Sequence, residues 1–151
     1  RPGYKLAPVE TEFGVLGIML GWDLVFPEVA RNLVLDGAEV LLMPAAWEAR
    51  NVAIWRNLLV SRAYENEVFV AASNRIGQEP SYAFAGESAV LSPSGELLGT
   101  IAAPEEGEEE GPVEGYVVAR LDLDEIRRRR EESQIMLARQ PAAYRSIVRK
   151  Y

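Results

Sequence analysis

The chain has no cysteine and no histidine among its 151 residues. The first absence excludes disulfides, zinc–thiolate sites and a thiol nucleophile. The second removes the commonest general base. No apolar run approaches the ~18 residues of a membrane-spanning helix, and no basic-then-apolar signal segment opens the chain. Cytoplasm is therefore the default compartment, and no membrane partner is expected. Positive charge is in short supply: 16 Lys and Arg face 23 Asp and Glu, for a net charge of −7. Nucleic acid and anionic membrane surfaces reward the opposite sign, so neither is an expected partner. There is no internal repeat, and Gly14, Gly17 and Gly21 do not fit the spacing of a dinucleotide-binding fingerprint. Nothing in the residues calls for a metal or a cofactor. What remains is an apolar content of 48%, enough for a real core in about one domain, taken as 1–151. Arg1-Pro2-Gly3-Tyr4-Lys5 carries neither a start methionine nor a capped element and reads as the middle of a domain.

One stretch, residues 13–28, organises the rest. Val15-Leu16-Gly17-Ile18-Met19-Leu20 is an unbroken apolar run, expected to be a central parallel strand covered on both faces. Gly21-Trp22-Asp23 mark a sharp turn, and Pro27 takes an early helix position where its missing N–H costs nothing. A strand, a tight turn and a helix start form a common corner for presenting a nucleophile in α/β enzymes. Ahead of it, residues 8–13 alternate loosely as an edge strand. Behind it, Val29, Ala30, Leu33 and Val34 share one face of a helix closed by Gly37. Residues 39–44 form a second buried strand, which implies a parallel crossover.

A second helix is expected from an Asn51 cap to about Asn66, with Ile54, Leu58, Leu59 and Ala63 facing the core. Residues 68–72 give a third apolar strand. Segments 88–92 and 96–101 flank the turn Pro93-Ser94-Gly95 as an antiparallel hairpin. An acidic loop, 105–111, leads to a last strand at 116–121. Asp122 and Glu125 have the spacing of a capping box for a third helix. Arg127-Arg128-Arg129-Arg130 reads as a solvated helix face, with its charge suited to the helix C-terminal end. The tail 133–151 has too weak a period to assign.

Several segments together resemble the nitrilase superfamily of carbon–nitrogen hydrolases. The family signature of a strand, Cys-(Tyr/Trp)-Asp and then Phe-Pro-Glu is similar to residues 15–28, with Gly21 at the cysteine position. The resemblance continues through Gly37-Ala38-Glu39 to Pro44-Ala45-Ala46-Trp47, Arg62-Ala63-Tyr64-Glu65-Asn66, Ala72-Ser73-Asn74-Arg75-Ile76-Gly77, Phe84-Ala85-Gly86-Glu87-Ser88 and Pro93-Ser94-Gly95. It covers nearly the whole chain. It implies an α/β fold, the C-terminal half of a nitrilase-type α-β-β-α sandwich.

It also implies a chemistry. Family members hydrolyse small amides, nitriles or carbamoyl compounds with a Glu-Lys-Cys triad, and the backbone N–H after the cysteine completes the oxyanion site. Carried over, that N–H belongs to Trp22, and the nucleophile position falls on Gly21, which has no side chain. The family's glutamate and lysine precede the stretch present here, so the chain as given is expected to be inactive. Trp47 and Asn74, after two strand ends, are the candidate substrate contacts. Each has a blander reading: Gly21 as a positive-φ turn, the tryptophans as core, Asn74 as a turn ligand. A non-catalytic binding or assembly module that kept the fold is the alternative. The family resemblance further implies helices that pair between protomers, so a homo-oligomer is expected.

Overall fold

The computed structural model describes residues 5–101 and 114–148. The acidic loop expected at 105–111 lies outside them. Eleven elements are named here: β1 (Val9–Thr11), β2 (Gly14–Ile18), α1 (Pro27–Leu35), β3 (Val40–Ala45), α2 (Val52–Asn66), β4 (Phe69–Asn74), β5 (Ile76–Gln78), β6 (Ala83–Ala85), β7 (Ala89–Leu91), β8 (Leu97–Thr100) and α3 (Asp124–Ser133). Six strands make one sheet in the order β1-β2-β3-β4-β7-β8, with β5 and β6 a separate antiparallel pair. Strands β2, β3 and β4 are mutually parallel, because α1 and α2 each carry the chain back to the same edge. The expected hairpin is present as β7 and β8, paired antiparallel with an irregularity at Val90/Leu91.

Both helices lie on one face of the sheet. Ala30, Leu33 and Val34 of α1 and Trp55, Leu59 and Ala63 of α2 join Leu41, Met43, Val70, Ala72 and Leu91 in a single buried cluster. Gly17 makes the close approach possible: a β-carbon there would meet Leu41 Cδ2 at 2.9 Å, Ala38 Cβ at 3.1 Å and Leu33 Cβ at 3.2 Å. Helix α1 ends as expected, with Gly37 at φ +105° donating to the Val34 carbonyl at 3.0 Å.

The second face of the sheet is thinly covered. Val40 and Phe69 are buried there by Ile126, with Leu16, Leu42, Leu121 and Leu123 packed around them. The cover stops short of Ile18, which is 50% exposed. The expectation of β2 buried on both faces is thus corrected: its apolar run fills one face of the core, and the other face is covered only around Leu16, by the cluster of Leu121, Leu123 and Ile126.

Three further expectations change. Residues 116–121 are not a paired strand among the described residues. They show alternating exposure; Val117 sits against Gly99, where its Cγ2 fills the space a β-carbon would need, while Tyr116 and Val118 face solvent. The β-propensity of the run is real, but the period that predicts a strand cannot tell a laddered strand from one laid across a sheet. Helix α3 begins two residues after the expected cap, and Asp122 holds its start from outside: its carboxylate accepts from Asp124 N–H (3.2 Å) and from Arg128 Nη2 (2.7 Å). That Arg128 hydrogen bond holds the Asp122 carboxyl below the usual carboxylate range. The arginine run divides: Arg127 and Arg128 are solvated as expected, but Arg129 lies over the Tyr64 ring at 5.5 Å and Arg130 Nη2 donates to the Asn66 carbonyl at 3.4 Å.

Helix α2 buries Leu59 and Ala63 as expected, with Leu58 packed against the core, but Ile54 is turned away from it. Its buried stripe is Trp55, Leu59, Arg62, Ala63 and Asn66, whereas Ile54 is 51% exposed. The cause is that apolar and polar residues are interspersed on every side of α2, so hydrophobic period alone cannot choose its inner face. Asn51 stands at the N-cap without a side-chain cap bond.

The tight α1–sheet approach yields a test. Gly17→Val is expected to lower stability by about 1–3 kcal/mol through overpacking, measured by urea unfolding, while Gly37→Ala at an open position should show only the milder cost of its positive φ.

Candidate active site

Parallel strands β2, β3 and β4 end at the same edge of the sheet, the place where open α/β folds hold their ligands. The three candidate segments are brought to that edge by topology: Gly21-Trp22 follows β2, Trp47 follows β3 and Asn74 closes β4. Met19 N–H still donates to Leu42 O (3.0 Å), and then the chain leaves the sheet. Residues Gly21–Val25 form a short 3-10 turn ahead of Pro27.

Gly21 begins that turn at φ +48°, in the left-handed region, and an added β-carbon would meet nothing within 4 Å. The corner is therefore a strained one with open space above it, and glycine relieves the strain. The first amide bonded within the turn is Asp23 N–H, to Leu20 O (3.0 Å). Trp22 N–H comes one residue earlier, among the donors that a helical turn leaves unpartnered. The Trp22 ring is 75% exposed. Asp23 closes the corner by accepting Leu20 N–H on its carboxylate (2.9 Å).

Trp47 and Asn74 are in direct contact. Trp47 N–H donates to Asn74 Oδ1 at 2.7 Å, and Asn74 Nδ2 donates to Gly86 O at 2.6 Å and to Trp47 O at 3.4 Å. Every polar atom of this buried amide is thus committed to backbone. The Trp47 indole N–H donates to Asn51 O (3.0 Å), and its ring leans on Trp55 with centroids 5.7 Å apart. Beside them a polar cleft of about 570 Å³ is lined by Ser73, Asn74, Arg75, Gly86, Ser88 and Glu114 among others. Gly21 and Trp22 do not line it.

Two groups at this edge stand in the sequence reading only as members of family-like segments, with no role of their own. Arg62 is only 5% exposed; its Nε and Nη2 donate to Leu24 O at 3.1 Å and 2.9 Å, and Nη2 reaches Val25 O at 3.3 Å. Its Nη1 pairs with Glu65 at 2.8 Å. Glu87 takes a bidentate ion pair from Arg56, while its backbone carbonyl accepts the Trp55 indole N–H at 3.0 Å. The signal for Arg62 was available: it stands one helical turn after Leu59, so phasing α2 on Trp55 puts a charge in the buried stripe.

The sequence profile described as carbon-nitrogen hydrolase matches residues 1–131. The chain belongs to the carbon–nitrogen hydrolase family. A probable nitrilase of Schizosaccharomyces pombe is 35% identical over 84% of this chain and 44% of its own length. The N-carbamoylputrescine amidase of Arabidopsis thaliana is 33% identical over 97% of this chain and 50% of its own. The crystal structure of a carbon–nitrogen hydrolase from Helicobacter pylori superposes with a TM-score of 0.87 at 27% identity, covering 99% of this chain and 54% of that one. This carbon–nitrogen hydrolase chain thus spans about half the length of the relatives it matches.

Space and strain at residue 21 together predict the behaviour of a restored side chain. Gly21→Cys should fold, lose about 1–2 kcal/mol to the left-handed backbone, and present a thiol that a disulfide reagent titrates fully without denaturant. A thiol silent until unfolding would contradict the open corner.

Proposed function

We propose that this chain is the C-terminal half of a carbon–nitrogen hydrolase for small amides or nitriles, carrying the nucleophile corner without the nucleophile. The supporting observation is Gly21 itself: a left-handed residue just past the carboxyl end of the parallel strand β2 and opening onto free space, followed by Trp22 N–H, which makes no hydrogen bond among the described residues. A nucleophile is presented on such a strained corner, and a backbone donor beside it is placed to meet developing oxyanion charge. Trp47 and Asn74 form the neighbouring wall. Asn74 does so by tying the Trp47 loop to the Gly86 turn, which leaves the adjacent polar cleft of a size that suits a small polar substrate. The amidase relative supports an amide as the substrate class.

The missing parts decide the activity. Cysteine attack has no substitute at Gly21, and the glutamate and lysine that the family supplies to move protons and hold the intermediate are not among these residues. The chain by itself is therefore expected to show no amidase or nitrilase turnover. Gly21→Cys alone should stay inactive too, since an isolated thiol has a pKa of about 8.5 and no base beside it. The check is ammonia release from a small aliphatic amide. Steady release by the Gly21→Cys protein, abolished by alkylating the thiol, would contradict the assignment.

A second reading, an assembly module that kept the fold, draws on the outer surface of α2. Ile54, Val60 and Tyr64 there are 51%, 43% and 47% exposed, and Leu35 at the end of α1 is 49% exposed. Together with the open second face of the sheet, these are apolar side chains that a partner surface could cover. The two readings share one expectation: the 151-residue chain self-associates or takes up an N-terminal half in trans. Light scattering at micromolar concentration checks it. A monodisperse 16.7 kDa particle that unfolds cooperatively and binds no hydrophobic dye would count against both.

A further inference from the structure

We infer that Arg62 is the positioning residue of the corner: its buried guanidinium fork, bonded to Leu24 O and Val25 O, fixes the direction in which the Trp22 N–H points. The inference rests on reading the Gly21-Trp22 turn as the oxyanion corner.

A five-residue 3-10 turn has poor hydrogen-bond geometry and little cooperativity of its own. Its last carbonyls are left without partners inside the turn. Here the two at Leu24 and Val25 are met by a planar donor: Nε and Nη2 converge on Leu24 O, Nη2 also reaches Val25 O, and Nη1 still pairs with Glu65, a spread that lysine's single nitrogen does not reproduce. A cation at the C-terminal end of the turn also opposes its dipole favourably. The guanidinium is held in turn: Glu65 Oε1 accepts from Nη1, and Asn66 Nδ2 donates to the Arg62 carbonyl at 2.9 Å. Helix α2 is anchored in the core by Trp55, Leu59 and Ala63. Together with the buried Leu24 side chain, Arg62 lets the rigid helix dictate the pose of a turn that would otherwise fray.

Burial argues against a merely decorative contact. A guanidinium 5% exposed is costly unless its donors are satisfied, and most of its donors are spent on the corner. The turn's other supports are its own Asp23 N–H to Leu20 O and Phe26 N–H to Asp23 O bonds, the buried Leu24 side chain and the Asp23 carboxylate at its opposite end.

The test is hydrogen exchange followed by mass spectrometry on the whole chain. In Arg62→Ala the amides of residues 19–26 should exchange about tenfold faster, while those of β3 and β4 keep their rates. Ethylguanidinium in the buffer should restore protection at 19–26, and ethylammonium should not. If Arg62→Ala does not fold, Arg62→Lys decides: it keeps the charge, but its one nitrogen cannot serve both carbonyls and Glu65 with the guanidinium's spread of three nitrogens, so 19–26 should still be loosened. Unchanged exchange at 19–26 in the folded variant, equal acceleration in β3 and β4, or equal rescue by ethylammonium would overturn the inference. Hydrolysis plays no part in the readout, so failure of the hydrolase reading and failure of the clamp are separately visible.

Discussion

A buried positive charge must find acceptors, and in this fold the Arg62 guanidinium finds them in the carbonyls beneath a single turn. That requirement joins the core to the functional edge. Helix α2 can bury its stripe only by carrying Arg62 inward, and Arg62 can be buried only if the chain after β2 turns its Leu24 and Val25 carbonyls toward it. The corner at Gly21 is then the remaining freedom: the chain must leave the strand sharply enough to place those carbonyls, and a left-handed residue accomplishes the change of direction. Glycine adopts that conformation without penalty, whereas a nucleophile in the same place would be held under strain.

The second determinant is the asymmetry of the sheet. One face is packed by two helices with a glycine admitting close contact; the other is crossed by residues 115–123 and the first turn of α3, leaving Ile18 half in water. The energetic consequence is directional. Apolar area on the uncovered face lowers the free energy of any arrangement that supplies a second layer, and relatives about twice as long as this chain have the additional sequence from which such a layer could be built. The family fold and the incomplete cover therefore point to the same architecture by independent routes.

Much of this was legible in the residues. Strand–helix–strand units around residues 13–28, the Gly37 cap and the β7–β8 hairpin followed from local pattern and turn chemistry, whereas the shared edge of Gly21, Trp47 and Asn74 emerged only from the strand pairing. The failures share a cause: pattern reports composition along the chain and not what lies opposite. Residues 116–121 have strand character but drape over the sheet. Ile54 is as apolar as Trp55 but faces outward. The apolar run of β2 promised cover on two faces and received it on one. Arg62 was missed because a charge within a helix is ordinarily read as a surface residue, and only the carbonyls of a turn 38 residues earlier in the chain make its burial possible.

The central claim is that the corner is a complete backbone site lacking only the side chain at 21 and the groups that face it. Its most direct measurement is turnover in a two-piece assembly, with the chain co-expressed alongside an N-terminal half carrying the family's glutamate and lysine. The account predicts that the assembly with Gly21 is silent and the one with Gly21→Cys hydrolyses a small aliphatic amide, in a manner abolished by thiol alkylation. An assembly that forms stoichiometrically with Gly21→Cys and remains silent toward amides and nitriles, or one that turns over with glycine in place, would contradict it.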